Sequence, residues 1–492
     1  MKLSPKEFPT NMATCNPAVS LLRIEQIQAL HEASLKILSD TGIMIHHPEI
    51  LKLVEGTGAR VETSRPIAHF SESLVMNSLQ IVGKKYVLNG RDPARVARFN
   101  DGDLVQLSSP GQYRWLDLHT ERVRPATLQD ARDAIRLADA LPNINFVGAM
   151  AQPAEISEKY REVVLTAELS KGTTKPTMAW THNGKTARYV LEIYRTLVGG
   201  EKALRERPMT EAFLEPISPL QLPNDGLDMV LEFAAAGQPV SVGPMAMTSG
   251  TAPATLAATL AQENAEILAG IVVTQLIAPG IPMKYGGIPH ILDPRTSICS
   301  FGSPEQALMG MAMVAMGKHY GLPIYINVGL TDAKVLDAQA GIEKATTLVL
   351  GALAGADMFG HAGICGPDHA GSLAWLMADN EVMAYVKRVV RGFGIAPGDF
   401  ATDVIQAVGP AGSFLAEDHT IKNYRRELWM PGPAWTRQVY GAWEEGGRTS
   451  MGDRLRTEVE RILSTHTVPE MDAALAREID RIVACAKAEI GE

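Results

Sequence analysis

The sequence has 492 residues, of which 46% are apolar and 21% charged, a composition typical of a globular protein and too apolar for disorder. Lys and Arg total 46 against 55 Asp and Glu, for a formal charge of -9, so there is no basic footprint for nucleic acid. One large domain with flanking extensions can account for this length.

The four cysteines form no C-x-x-C pair, which suits a reducing compartment and is evidence against structural zinc. They are Cys15, Cys299, Cys365 and Cys485. The first residues contain no apolar signal-peptide core, and the apolar run 270–277 is too short to span a bilayer. We therefore expect a cytoplasmic protein without a membrane partner.

Residues 1–100 form an accessory region in which the patterns predict helices over 20–42 and 46–53 and a strand over 85–88. The pattern changes after this point, where strand-like and helix-like segments alternate. The chain thus begins with an α+β extension that precedes a repeating part.

The repeating part consists of eight alternating units. Its predicted strands are 104–107, 144–150, 177–181, 212–216, 240–245, 282–286, 324–328 and 357–361. Its predicted helices are 127–140, 157–169, 185–197, 224–236, 252–277, 304–320, 337–353 and 372–391. Strict alternation predicts a parallel sheet, and eight units favour a closed (β/α)8 TIM barrel over an open doubly wound sheet. For the first strand, a local hairpin around 113–118 is an alternative.

These patterns divide the chain into an accessory region at 1–100, a barrel at 101–395 and a C-terminal helical cap at 396–492. The cap carries an aromatic cluster and a charged amphipathic helix over 470–489. The chain contains no G-x-G-x-x-G, Walker-A or H-E-x-x-H pattern, which weakens nucleotide-binding and zinc-protease interpretations.

The segment 250–287 places a candidate site at the ends of the strands. Its long apolar helix stops at Pro279, and its strand ends on Gly286 and Gly287, which let a ligand approach the backbone closely. In a barrel the catalytic groups lie at the carboxyl ends of the strands. The candidate substrate-binding residues at those ends are Trp180, His182, Glu215, Tyr285, Asn327 and His361.

Two interpretations remain open for most of these residues. The rings of Trp180 and Tyr285 suit a cation, but large side chains also fill barrel interiors. Glu215 lies in an apolar strand and requires a partner, which is either a substrate or an internal salt bridge. We predict no metal site, because the only candidate ligands share one glycine-rich loop that is better explained as a Gly-Pro turn. They are His361, Cys365, Asp368 and His369.

Several short phrases together resemble the trimethylamine methyltransferase family, the corrinoid-dependent methyltransferases of methylotrophic one-carbon metabolism. They include Gly90-Arg91-Asp92-Pro93, Ile217-Ser218-Pro219-Leu220, Ser300-Phe301-Gly302-Ser303-Pro304-Glu305, the segments 124–130, 250–287, 337–343 and 378–381, and His419-Thr420. The resemblance covers nearly the whole chain. One departure is Ser413, where the family pattern leads us to expect histidine.

The resemblance implies a TIM-barrel enzyme that presents a methylated amine to the cobalt of a separate corrinoid protein. The corrinoid, a cobalamin, then belongs to the partner, and this chain has no D-x-H-x-x-G motif of its own. Archaeal trimethylamine enzymes carry pyrrolysine, whereas this chain contains standard residues only. That places it in the branch without pyrrolysine and favours a quaternary amine such as glycine betaine. We also expect a homo-oligomer.

The resemblance further implies roles for the strand-end residues. Trp180 and Tyr285 would hold the cationic head, and His182, Asn327 or His361 would hold a substrate carboxylate. Three alternatives remain: trimethylamine as the substrate, a non-catalytic betaine-binding barrel, and a barrel enzyme that acts on small carbonyl acids through Glu215 and His361.

Overall fold

A computed structural model describes Thr14, Cys15 and residues 17–491. Eight parallel strands alternate with eight long helices. We label the strands β1 (Val105–Ser108), β2 (Val147–Gly148), β3 (Thr177–Met178), β4 (Ala212–Leu214), β5 (Val240–Val242), β6 (Met283–Gly287), β7 (Ile324–Ile326) and β8 (Met358–Ala362). The helices are α1 (Leu128–Ala140), α2 (Arg161–Gly172), α3 (Gly184–Val198), α4 (Asn224–Ala235), α5 (Leu256–Ile277), α6 (Pro304–Tyr320), α7 (Ala338–Ala354) and α8 (Leu373–Arg391).

The strands form a curled parallel sheet. Six of them pair in the order β4-β5-β6-β7-β8-β1, and β2 pairs with β3. A parallel bridge between Leu107 and Phe146 joins β1 to the segment that leads into β2. Within the described part of the chain, no bridge joins β3 to β4. The predicted α/β class, the parallel sheet and all eight strand and helix pairs are confirmed.

The helix boundaries follow from local capping. Ser303 accepts a hydrogen bond from the Gln306 N–H at the start of α6, and Asp337 does the same for the Ala340 N–H at the start of α7. Such caps satisfy N–H groups that have no partner inside the helix. Gly321 ends α6 in the left-handed region with φ of +71°, a conformation that glycine adopts without steric cost.

Helix α5 is the central helix of the core. It is 22 residues long and apolar enough in composition to cross a membrane, but 83% of its most apolar window is buried inside the protein. Tertiary packing therefore explains its hydropathy. The accessory helix Ile24–Lys36 packs on it, and Ser34 Oγ donates a hydrogen bond to the Ala261 carbonyl (2.9 Å).

The accessory region also closes the amino-terminal end of the sheet. Strand Tyr86–Asn89, predicted at 85–88, pairs antiparallel with Val96–Phe99. The rings of Tyr86 and Phe99 stack at 4.5 Å, and Tyr86 Oη donates to Glu211 Oε2, just before β4 (2.6 Å). This hairpin plugs the interior below the candidate site.

The remaining elements are short or peripheral. In the amino-terminal region they are Thr14–Cys15, Ile37–Thr41, Ile43–Ile45, Pro48–Glu55, Arg60–Val61, Ile67–His69 and Glu72–Ile81. Around the sheet they are Arg114–Leu116, Val123–Pro125, Glu201–Glu206, Gln221–Leu222, Met247–Thr248, His290–Leu292, Cys299–Ser300, Ile364–Cys365 and Ala370–Gly371. The hairpin considered as an alternative to β1 is thus present in addition to it, since Arg114–Leu116 pairs with Val123–Pro125.

The C-terminal residues are mostly helical. Their elements are Phe393–Gly394, Pro397–Phe400, Thr402–Val408, Asp418–Glu427, Tyr440–Glu445, Met451–Thr465 and Ala473–Ile490. The last two helices lie outside the sheet's helix layer, Met451–Thr465 against α1 and α8 and Ala473–Ile490 against α2 and α3. The amphipathic helix predicted at 470–489 is confirmed.

Candidate functional site

A cavity lies at the carboxyl ends of the parallel strands, where the sequence places the site. Its enclosed volume is about 80 Å³, and the space that opens to solvent brings the total to about 660 Å³. It is lined by Leu107, Ser109, Pro110, Gln112, Met178, Trp180, Phe213, Glu215, Met245, Ile288, Phe301, Tyr325, Asn327, Met358, His361 and Asp368. Four of the six predicted residues are among them: Trp180, Glu215, Asn327 and His361.

Strand alternation explains which side chains face the cavity. Successive residues of a strand point to opposite sides of the sheet. Phe213 and Glu215, two positions apart, both line the cavity, as do Tyr325 and Asn327. The intervening Leu214 belongs instead to the core between sheet and helices. Sequence reasoning missed Phe213 and Tyr325, although this two-residue period was a signal that could have found them.

Tyr285 is the clear correction among the predicted residues. It is fully buried outside the cavity, where its hydroxyl donates to Asn264 Oδ1 on α5 (2.8 Å) and its ring contacts that of Tyr320. Its neighbour Lys284 faces the sheet interior, so alternation turns Tyr285 toward the helices. The prediction that Tyr285 lines the site is wrong, and the packing alternative is right for it.

His182 lies beside the cavity without lining it. Its ring centroid is 5.3 Å from that of Trp180, and its Nδ1 bonds the carboxylate of Glu162. Burial lowers the pKa of His182, but the hydrogen bond and charge of Glu162, together with the charge of Glu215, raise it above the usual value. This histidine is therefore paired through Nδ1, and its assignment to substrate binding stays a prediction.

Aromatic rings form one wall of the cavity. The rings of Phe213 and Tyr325 meet edge to face with centroids 5.9 Å apart, and Phe301 and Trp180 also line it. The Tyr325 hydroxyl lies 3.4 Å from Nε2 of His361. Ring faces in a site shielded from water attract cations through their quadrupoles.

Two carboxyl groups accompany the rings. The pKa of Glu215 is raised, mainly by burial and also by the charge of Asp368, although the nearby His182 opposes the shift. The pKa of Asp368, at the mouth of the cavity, is also raised by loss of contact with water. A hydrogen bond from Gln112 Nε2 (2.8 Å) opposes that shift. Among the described lining residues there is no lysine or arginine. The cavity therefore has an acidic, cation-accepting character.

Asp368 owes its position to the predicted turn. Strands Ile364–Cys365 and Ala370–Gly371 pair antiparallel, and between them Gly366 and Asp368 adopt positive φ values of +62° and +56°. Aspartate tolerates this conformation better than most residues. His369 in the same turn is exposed. Among the described residues, no three His, Cys, Asp or Glu side chains are grouped so as to hold a metal ion.

Asn327 and His361 provide neutral polar groups. Asn327 is 4% exposed, and its Oδ1 has no hydrogen-bond partner in the protein. An unsatisfied buried polar atom is unusual and points to a ligand or water. Burial, together with His290, lowers the pKa of His361 to about 4, so its imidazole is neutral near pH 7.

A fully buried ion pair lies beneath the cavity. Lys284 Nζ and Glu211 Oε1 are 2.5 Å apart and both side chains have no exposure. Lys284 also lies 5.6 Å from the centroid of the Tyr325 ring and 4.8 Å from that of Phe99. This pair connects the amino-terminal plug to the floor of the site. Charged residues inside apolar strands were its only sequence signal.

Two buried glutamates of α5 hold the loops around the cavity. Glu263 accepts hydrogen bonds from the backbone N–H groups of Ala246 and Ile288 (both 2.9 Å). Glu266 accepts from the Leu220 N–H (2.8 Å) and from Ser218 Oγ (2.6 Å). Glu263 thereby holds the backbone of Ile288, which lines the cavity. It also holds the backbone of Ala246, which follows the cavity residue Met245.

Comparisons with known proteins agree with this geometry. The family model described as "Trimethylamine methyltransferase (MTTB)" matches residues 3–491. The chain is 30% identical to a glycine betaine methyltransferase of Desulfitobacterium hafniense strain Y51, over 97% of this chain and 99% of that protein. It is 31% identical to the trimethylamine methyltransferase MttB of D. hafniense strain DCB-2, over 92% of each.

A solved structure shows the same fold. The monomethylamine methyltransferase MtmB of Methanosarcina barkeri superposes with a TM-score of 0.54 at 11% identity and covers 93% of this chain and 97% of its own. The fold is thus α/β, and the family model and the curated relatives show that the chain is a methyltransferase. The chain belongs to the trimethylamine methyltransferase family.

Proposed function

We propose that this protein transfers a methyl group from a quaternary amine, glycine betaine or a related compound, to the cob(I)alamin of a cognate corrinoid protein. The observation that carries the substrate class is a cavity that combines aromatic rings with carboxyl groups. Such walls attract a permanent cation through its charge, so the ligand does not need a proton to donate in a hydrogen bond. The relatives named for glycine betaine and trimethylamine support the reaction class.

The corrinoid is assigned to the partner. The cavity encloses about 80 Å³, which leaves room for a small amine and keeps the macrocycle outside on its own protein. The corrinoid supplies a nucleophilic cobalt when that partner docks over the carboxyl ends of the strands. No residue of this chain then has to act as the methyl acceptor.

The task of this chain is to bind and orient the amine and to exclude water. The leaving group is a neutral tertiary amine, which requires no general acid, so a site without a catalytic dyad suffices. Trp180, Phe213 and Tyr325 surround the ammonium head, and Glu215 adds attraction. Asn327 and His361 orient the rest of the substrate.

We also propose that the curled sheet is a closed (β/α)8 barrel. Seven of its eight strand junctions carry pairing or a bridge, which supports closure at the remaining β3–β4 junction. The regions 1–100, 101–395 and 396–492 then act as extension, barrel and cap of a cytoplasmic homo-oligomer. A crystal structure with β3 and β4 separated by another element would contradict closure.

Methyl transfer with purified components tests the function. The protein, a reduced corrinoid protein and one amine at a time are mixed, and the demethylated product is quantified for glycine betaine, carnitine, choline, proline betaine and trimethylamine. We expect turnover of at least one quaternary amine and slow turnover of trimethylamine. Equal rates with trimethylamine would overturn the substrate class, and binding without turnover would favour a non-catalytic receptor.

A further inference from the structure

The charge of the cavity restricts which quaternary amines fit it. Glu215 and Asp368 line it, and the described lining residues include no lysine or arginine. We propose that the preferred substrate carries a net positive charge, as a quaternary ammonium alcohol such as choline does, and that zwitterionic betaines bind less well. This inference rests on the proposed function and deepens it.

The argument begins with the two ends of a betaine. Its ammonium group would gain from the rings and from Glu215, as any quaternary amine would. Its carboxylate would enter the same cavity, where Glu215 and Asp368 repel it and no lysine or arginine in the lining compensates. Charges act strongly on each other where water is excluded, and a buried charge without a partner is unfavourable.

The basic groups around the cavity are already engaged. Lys284 is bonded to Glu211 and lies 5.6 Å from the centroid of the Tyr325 ring. Lys284 therefore cannot pair with a substrate carboxylate without first breaking this buried ion pair. His182 is bonded through Nδ1 to Glu162, which offsets its charge, and it is not among the residues that line the cavity.

The neutral polar groups can receive a hydroxyl. Asn327 Oδ1 is buried without a hydrogen-bond partner in the protein, and an amide oxygen accepts hydrogen bonds. A substrate hydroxyl can donate to it. His361 is neutral near pH 7 and therefore brings no positive charge to the polar end.

Titration calorimetry on the full-length protein tests this preference without the corrinoid partner. The ligands are choline, glycine betaine, tetramethylammonium and 3,3-dimethylbutan-1-ol, the uncharged carbon analogue of choline. We expect choline to bind at least about tenfold more tightly than glycine betaine, and tetramethylammonium to bind more tightly than glycine betaine. We expect the uncharged alcohol to bind more weakly than choline.

Substitutions test which carboxyl group makes the cavity prefer choline to glycine betaine. Glu215→Gln should weaken choline binding about tenfold and narrow the gap between choline and glycine betaine. Glu158→Gln removes the same charge from an exposed position and should change neither affinity. Asp368→Asn provides a second test at the mouth, and circular dichroism checks that each variant is folded.

The outcomes separate this inference from the proposed function. If glycine betaine binds as tightly as choline, and both bind more tightly than the uncharged alcohol, the inference is wrong but the quaternary-amine function still holds. If the uncharged alcohol binds as tightly as choline, the ammonium charge is not recognised. That result would contradict both the inference and the proposed function. An unchanged gap in both Glu215→Gln and Asp368→Asn would also overturn the inference.

Discussion

Glu215 is the residue whose protonation should control binding. Burial raises its pKa, so its charge is lost at a higher pH than that of an ordinary glutamate. A quaternary ammonium binds the ionised form better, and binding should therefore weaken as the pH falls through the raised pKa and be strongest above it. The groups that face Glu215 are His182, which lowers its pKa, and Asp368, which raises it.

Calorimetry with choline from about pH 8 to about pH 5, the range in which raised carboxyl pKa values and histidines titrate, checks this prediction. The Glu215→Gln variant should lose most of the pH dependence. An equally steep pH profile in that variant would assign the effect to His182 or Asp368 instead.

Trp180 and Tyr285 form a matched pair of aromatic residues, one inside the cavity and one outside. We expect Trp180→Ala to weaken binding of a quaternary amine by about 0.5–2 kcal/mol, because a cation–π contact is lost. Tyr285→Phe should leave affinity unchanged but lower stability by about 0.5–1.5 kcal/mol, because the hydrogen bond to Asn264 is lost. Calorimetry and urea unfolding measure the two effects, and a binding defect in Tyr285→Phe would contradict the observed packing.

At the level of elements, α5 serves as a scaffold for the loops of the site. Burial raises the pKa of Glu263, as does the nearby Glu266, and the two backbone N–H groups bonded to Glu263 oppose that shift. Each carboxyl oxygen of Glu263 accepts a hydrogen bond from a backbone N–H. In a glutamine at this position, the side-chain NH2 would therefore face one of these N–H groups, and two donors would oppose each other. At Glu266, one bond comes from the Ser218 hydroxyl, which can reverse its role and accept.

This difference leads to a comparison of two conservative substitutions. Glu263→Gln should lower the free energy of unfolding by about 1–3 kcal/mol, the cost of an unsatisfied buried group, and weaken substrate binding because Ile288 shifts. Glu266→Gln should be milder in both respects. Urea unfolding and calorimetry on both variants provide the check, and equal destabilisation would show that the hydroxyl does not adapt.

For the whole molecule, the Lys284–Glu211 pair links the amino-terminal plug to the barrel interior. Glu211→Gln leaves Lys284 without its charged partner and should destabilise the protein by about 3–5 kcal/mol. Asp101→Asn, which breaks an exposed ion pair with Lys85, should have no measurable effect. Thermal and denaturant unfolding compare the two, and similar stability would mean that the buried pair contributes little.

Much of this molecule could be predicted from its sequence. The order of strands and helices, the α/β class and the family depend on short-range patterns, such as the apolar spacing of α5 and the glycines that end β6. Hydrophobic periodicity is a property of near neighbours along the chain. It placed Trp180, Glu215, Asn327 and His361 correctly at the cavity because each follows or ends a strand.

Only the tertiary structure decided the rest. Tyr285 and Lys284 are adjacent in a strand that is buried on both faces, so hydropathy does not show which of them points inward. The hydrogen bond between Gln112 and Asp368 joins residues 256 positions apart, and no local pattern encodes such a contact. The charge of the cavity, and with it the proposed choice of substrate, arises where these distant residues meet, because folding alone brings them together.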